Sequence, residues 1–137
     1  MRLHHIAYVT EDVVAKAKSL GGLLGITALG EPVSDEEQQV KVLFLDLGNG
    51  AKLELLEPLG PASPVQRHLE KGGGLYHLCF EVDNLDETLK KVQEDGQAMM
   101  VKEPVCAPAI GEQRVAFVVT RDMDLVEFVQ AVCETKK

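Results

Sequence analysis

No stretch of this chain stays apolar for the ~20 residues that a bilayer-spanning helix needs, and no basic segment followed by an apolar run opens it. The expectation is a cytoplasmic protein with no membrane partner. Basic residues are scarce too: 14 Lys and Arg against 22 Asp and Glu leave a formal charge of -8, which repels polyanions and sets nucleic acid aside as a partner. A small anionic ligand stays open, because salt screens a distant net charge over ~8 Å. Cysteines are few. Cys79, Cys106 and Cys133 show neither CxxC nor metal-knuckle spacing, and their odd number suits a reducing compartment, with all three expected to be buried and inert.

What is present is ordinary for a globular protein, with 45% hydrophobic and 26% charged residues in a 137-residue chain that can bury a real core. Residues 3 to 9 combine β-branched, aromatic and apolar side chains and read as a strand. Thr10-Glu11-Asp12 offers a cap, and Val13, Ala17, Leu20 and Leu24 recur at helical spacing until the glycines at 21, 22 and 25. A short strand over 26 to 30 and a polar loop from Glu31 to Gln39 follow. Val40 to Leu47 and Ala51 to Glu57 then form a hairpin about Gly48-Asn49-Gly50.

Pro58 to Gly74 holds three prolines and a glycine triplet and reads as a seam, with a short helix after Ser63 and Pro64. Beyond it the order repeats: a strand over 75 to 82, a helix capped by Asn84 and carrying Leu85, Leu89 and Val92, and a short strand near Ala98 to Val101. A loop from Glu103 to Glu112 leads to a hairpin of Val115 to Thr120 with Leu125 to Val129.

The repetition is numerical. His5 and His77 lie 72 residues apart, Glu54 and Glu127 lie 73 apart, and the helix stops Gly25 and Gly96 lie 71 apart. Between these landmarks the hairpins match without a gap, Val42, Phe44, Leu53 and Glu54 corresponding to Val115, Phe117, Val126 and Glu127. The expected fold is therefore α+β, two paired βαβββ modules forming a curved mixed sheet, with module one over about residues 1–60, a linker over about 61–73 and module two over about 74–137.

Each module then places one histidine on its first strand and one glutamate on its last. Brought together, His5, Glu54, His77 and Glu127 make a two-nitrogen, two-oxygen donor set that suits a divalent ion such as Co, Ni, Mn or Zn and balances its charge. Such an ion polarises a carbonyl as a Lewis acid, and a glutamate that loosens from it serves as a base. Glu54 lies among Leu53, Leu55 and Leu56, and Glu127 between Val126 and Phe128, so an ionised carboxylate at either place needs a partner. His4 and His68 have no histidine at the equivalent position and read as structural.

These residues resemble the vicinal oxygen chelate (glyoxalase/bleomycin resistance/dioxygenase) superfamily over nearly the whole chain. Within it the likeness is to the methylmalonyl-CoA epimerase group, through His5-Ile6-Ala7-Tyr8-Val9, Leu53 to Leu59, Ser63-Pro64-Val65 and Gly74-Leu75-Tyr76-His77. The resemblance implies a homodimer with His5, Glu54, His77 and Glu127 as metal ligands. It also implies an enzyme that abstracts an acidic α-proton from an acyl-CoA through a metal-stabilised enediolate, with Glu127 as one base. A glyoxalase-I-like lactoylglutathione lyase, acting on a thiol adduct, uses the same ligands, and a small-molecule-binding module shares the fold. In one member type a further glutamate sits where Val42 stands here, which leaves Glu36, Glu37, Glu54 or a water to handle the proton on the opposite face. Tyr76 stands where a second histidine is usual. Lys41, Lys52 and Arg114 are candidates for contacting the phosphates of such a substrate, and the segments 31–39 and 103–112 are expected to be mobile loops rimming the pocket.

Overall fold

The computed structural model describes residues 1–132. In chain order its elements are β1 (Arg2–Val9), α1 (Val13–Leu24), β2 (Ala28–Asp35), β3 (Val40–Gly48), β4 (Ala51–Pro58), α2 (Gln66–Glu70), β5 (Gly74–Val82), α3 (Leu85–Glu94), β6 (Ala98–Ala107), a 3-10 turn (Pro108–Ile110), β7 (Gln113–Thr120) and β8 (Leu125–Gln130). The strands form one eight-stranded mixed sheet in the order β2-β3-β4-β1-β5-β8-β7-β6. Each half contributes two antiparallel hairpin pairings and one parallel pairing of its first strand with its last, β1 with β4 and β5 with β8. The halves join where β1 runs antiparallel to β5.

Strand alternation gives this sheet two buried faces. On the convex face Leu43, Leu45 and Leu55 pack with Val13 of α1, while Val82, Ala116, Val118 and Phe128 pack with Leu85 and Leu89 of α3. On the concave face Ala7, Val9, Val40, Val42, Phe44 and Leu56 cluster with Val65 from the segment leading into α2. This is why Val40 to Leu45 is buried almost without interruption. Helix α1 begins on Asp12, whose carboxylate accepts from Ala15 N at 3.0 Å, and α3 on Asn84, whose side-chain oxygen accepts from Glu87 N at 3.0 Å. Helix α1 runs through Gly21 and Gly22 and ends, as expected, at the left-handed Gly25.

Two expected loops are largely strand. Residues 31–35 extend β2 and residues 103–107 extend β6. Both are the edges of the sheet, where proline and charge are tolerated because one row of backbone groups has no strand partner. The pairing slips between Leu29 and Val33, on either side of Pro32, and again between Lys102 and Val105, around Pro104. Cys79 is buried, but Cys106 on edge strand β6 is exposed, contrary to expectation; Cys133 lies outside the described residues. No described helix is long and apolar enough to cross a membrane.

Candidate functional site

The parallel pairings place the four repeat-related residues side by side. His5 and Glu54 come from neighbouring strands β1 and β4, His77 and Glu127 from neighbouring strands β5 and β8, and β1 pairs with β5 between them. All four side chains face the concave side and are buried: His5 is 0%, Glu127 4%, His77 6% and Glu54 8% exposed. Their donor atoms lie within 4.8 Å of one another. His5 Nε2 stands 3.1 Å from Glu54 Oε1, 3.0 Å from Glu127 Oε1 and 3.3 Å from His77 Nε2. His77 Nε2 stands 2.9 Å from Glu127 Oε1 and 3.5 Å from Glu54 Oε1.

The electrostatics follow from this crowding. Burial works against a charged imidazole, but the Glu54 charge and the polar groups of Cys79, Glu127 and Glu54 beside it outweigh that and hold His5 well above the usual histidine range. Hydrogen bonds to Glu127 and Glu54 likewise overcome burial at His77 and raise it. In the other direction, burial opposes ionisation of Glu54 and Glu127, and the two imidazoles overcome it, keeping both carboxyls below the ordinary range. Burial pushes the Cys79 thiol up to about 12, which leaves it protonated and inert. His4, at the edge of the cluster, is pushed down to about 4 by its burial, then by the charges of His5 and Lys52.

Without an ion, raised histidines and lowered carboxyls favour imidazolium and carboxylate charges that offset one another. A divalent cation replacing the two ring protons leaves the same net charge of zero. The spacing also fits: two donors each ~2.1 Å from one ion and at right angles to each other stand about 3.0 Å apart. Glu54 Oε1 is buried without a hydrogen bond of good geometry, although two imidazole nitrogens lie within 3.5 Å. An oxygen aimed into the cluster in this way is a donor still to be used.

A cavity of about 350 Å³ opens above the cluster. Glu54, His77 and Glu127 lie at its floor, and Val42, Leu56, Tyr76 and Phe117 are among its apolar walls. Its rim comes from the two edge segments, with Glu37, Gln38 and Gln39 on one side and Lys102, Ala109 and Ile110 on the other. Of the residues considered for the opposite-face proton, Glu37 and Glu54 line the cavity and Glu36 does not. Sequence reasoning missed Asp35, a buried cavity residue whose carboxylate accepts from Gln38 N at 3.0 Å and Gln38 Nε2 at 2.9 Å. Its signal was the pattern Val33, Asp35, which keeps step with Val42 and Val40 across the hairpin.

The cations selected from sequence are elsewhere. Arg114 pairs with Asp86, Lys41 stands 3.7 Å from Glu57, and Lys52 lines a different cleft beside His4. The lysine that lines the main cavity is Lys102, which has no ion pair among the described residues.

With this geometry in place, comparison with known proteins is informative. A family model described as the glyoxalase/bleomycin resistance protein/dioxygenase superfamily matches residues 4–117. A mitochondrial methylmalonyl-CoA epimerase from Bos taurus is 40% identical over 95 residues, covering 68% of this chain and 53% of that protein, so the chain spans about half its length. An ethylmalonyl-CoA/methylmalonyl-CoA epimerase from Cereibacter sphaeroides is 36% identical over 101 residues, covering 72% and 74%. Among solved structures, a methylmalonyl-CoA epimerase from Streptomyces coelicolor, in complex with 2-nitronate-propionyl-CoA, superimposes with a TM-score of 0.84 at 25% identity over 99% of both chains.

Proposed function

The chain belongs to the glyoxalase/bleomycin resistance protein/dioxygenase superfamily, and we propose that within it this protein is a metal-dependent epimerase that inverts an acidic α-carbon of an acyl-CoA of the methylmalonyl-CoA type. The observation that carries the proposal is the convergence of His5, Glu54, His77 and Glu127, the last three lining the floor of an apolar cavity. The activities of the relatives from Bos taurus and Cereibacter sphaeroides supply the substrate class.

In this reading the four residues hold a divalent ion. Bound there, such an ion acts as a Lewis acid and stabilises the negative charge that develops on the substrate oxygens. Glu127, held ionised, takes the α-proton on a carboxylate oxygen at the cavity floor. Val42, Leu56 and Phe117 keep water from the carbanionic carbon. Lys102 at the rim offers a cation to an anionic part of the substrate. Inversion needs a proton returned from the other face. Glu54 is engaged with the histidines and Asp35 is tied to Gln38, which leaves Glu37 as the cavity carboxylate with no hydrogen bond among the described residues. The reading also includes a homodimer in the cytoplasm, and a monomer mass in sedimentation equilibrium would remove the first of these.

The direct test is to incubate protein loaded with Co(II) or Mn(II) with one epimer of methylmalonyl-CoA in deuterated water. Inversion with deuterium at the α-carbon is expected. Neither exchange nor inversion, with the protein folded and metal-loaded, would reject the activity.

A further inference from the structure

Strand β1 carries a bulge at the site. Leu3 pairs with Phe80 and His5 pairs with the adjacent Cys79, so His4 is an extra residue on β1. In a regular strand His4 and His5 would point to opposite faces. The bulge turns the rings toward each other, with their Nδ1 atoms 2.7 Å apart, their centroids 5.0 Å apart and their planes at 76°. Phe44 packs edge-on against both rings.

We propose that His4 is a positioning residue: its Nδ1 accepts the Nδ1–H of His5 and thereby fixes His5 in the tautomer whose Nε2 lone pair points into the cluster. The inference rests on the metal reading above. Two nitrogens at 2.7 Å share one proton, so one ring donates and the other accepts. His5 Nε2 is the atom that meets His77, Glu54 and Glu127, so a lone pair there requires the ring proton on Nδ1. The competing acceptor is Cys79 Sγ, which also lies beside His5, and sulfur is the weaker acceptor.

The second half of the molecule provides the contrast. The residue before His77 is Tyr76, whose ring is tilted 59° to the imidazole at 5.3 Å. His77 Nδ1 is buried with no hydrogen-bond partner among the described residues. Of two histidines related by the repeat, only His5 has its far nitrogen held by a side-chain acceptor. An outer hydrogen bond of this kind both orients the ring and strengthens it as a ligand, and its loss typically lowers metal affinity ~10- to 100-fold.

The test uses the full chain and Zn(II), a diamagnetic probe, with affinity measured by calorimetric titration and metal-free folding checked by circular dichroism. His4→Phe should weaken zinc binding ~10- to 100-fold. His4→Asn, whose Oδ1 stands near the place of the imidazole Nδ1, should recover most of that loss, and Cys79→Ala should stay within about threefold of wild type, as expected where a weak acceptor is not the partner. In zinc-loaded wild type, ¹⁵N-histidine NMR should show His5 protonated at Nδ1 with a coupling across the hydrogen bond to His4 Nδ1, a readout that survives if His4→Phe fails to fold. Unchanged zinc affinity in His4→Phe, or a loss carried by Cys79→Ala instead, would overturn the inference alone. Wild type that binds no zinc would overturn the metal reading and this inference with it.

Discussion

On the proposed function, a metal held by these four residues would stabilise the folded chain, because positions as much as 122 residues apart are gathered only on folding. At free Co(II) or Mn(II) 100-fold above Kd the gain is about 2.7 kcal/mol. A 137-residue chain has an unfolding entropy near the midpoint of ~0.29 kcal/mol/K, so Tm should rise by about 9 °C in scanning calorimetry. His77→Ala supplies the control: if binding falls ~100-fold, the gain at the same metal concentration shrinks to about 0.4 kcal/mol, a shift of ~1 °C. Proton release is a second, independent signature. Because His5 and His77 are both raised, metal binding should displace protons from the rings, and titrations in buffers of different ionisation enthalpy should show proton release that grows as pH falls. A Tm that none of Co, Ni, Mn or Zn moves, or a shift as large in His77→Ala as in wild type, would refute the reasoning.

The metal-free protein should show its own pH dependence. The raised histidines stabilise fully below the unfolded histidine value of ~6.5 and lose that contribution as pH rises through their folded values, while the lowered Glu54 and Glu127 stabilise above ~4.3 and lose it as pH falls through theirs. Urea midpoints should therefore be highest from mildly acidic to neutral pH, and an alkaline fall that saturating metal does not reduce would contradict this assignment. Glu37→Gln should slow inversion ~100-fold while leaving α-deuterium exchange of the epimer served by Glu127; equal loss of both, read by chiral analysis and mass spectrometry, would rule out its opposite-face role. For the fold, Gly73 and Gly74 both have positive φ, but a Cβ on Gly73 would lie 2.7 Å from Val9 O whereas one on Gly74 meets nothing within 4 Å. Gly74→Ala should cost ~1 to 2 kcal/mol from the left-handed backbone alone and Gly73→Ala about 2 kcal/mol more; equal urea midpoints for the two would disprove the close approach.

The parts of the fold legible in the sequence are those where local pattern and burial agree. Periodicity and caps place α1 and α3, and turn residues place the β3–β4 hairpin, where Gly48, Asn49 and Gly50 all take positive φ. The repeat offset selected the four residues that cluster, because equivalent positions in paired halves meet at the junction of β1 and β5. What local pattern hides is long-range. Residues 31–35 and 103–107 look like loops because edge strands accept Pro32 and Pro104, and only the neighbouring strand makes them extended. His4 looks structural because no histidine answers it 72 positions on, and its contact with His5 depends on a bulge that sequence spacing cannot express. The partners of the cations were not legible either: Arg114 pairs with Asp86 and Lys41 stands near Glu57, carboxylates remote from them in sequence.

Duplication explains the ligands better than it explains the cavity walls. The repeat brings His5 with His77 and Glu54 with Glu127 into one cluster, so each half supplies one imidazole and one carboxylate to the proposed ion site. Inverting a carbon is a different requirement, since it needs proton-handling groups on two faces of the substrate. The β3 position that resemblance associates with a glutamate is Val42, which lines the cavity, and its counterpart Val115 is buried with Cys79, Ala107 and Val129. Neither hairpin therefore offers a carboxylate from its core strand at that place. The cavity carboxylates outside the cluster, Asp35 and Glu37, come from the end of β2 and the turn after it, whereas the corresponding rim of the second half presents Lys102, Ala109 and Ile110 and no carboxylate. In the proposed function the two proton-handling groups would then come from different halves, Glu127 from β8 and Glu37 from the turn after β2. On the proposed function, exchange at Glu127 would depend on the sheet and inversion on an edge turn. The two should be separable by changes confined to residues 36 to 39.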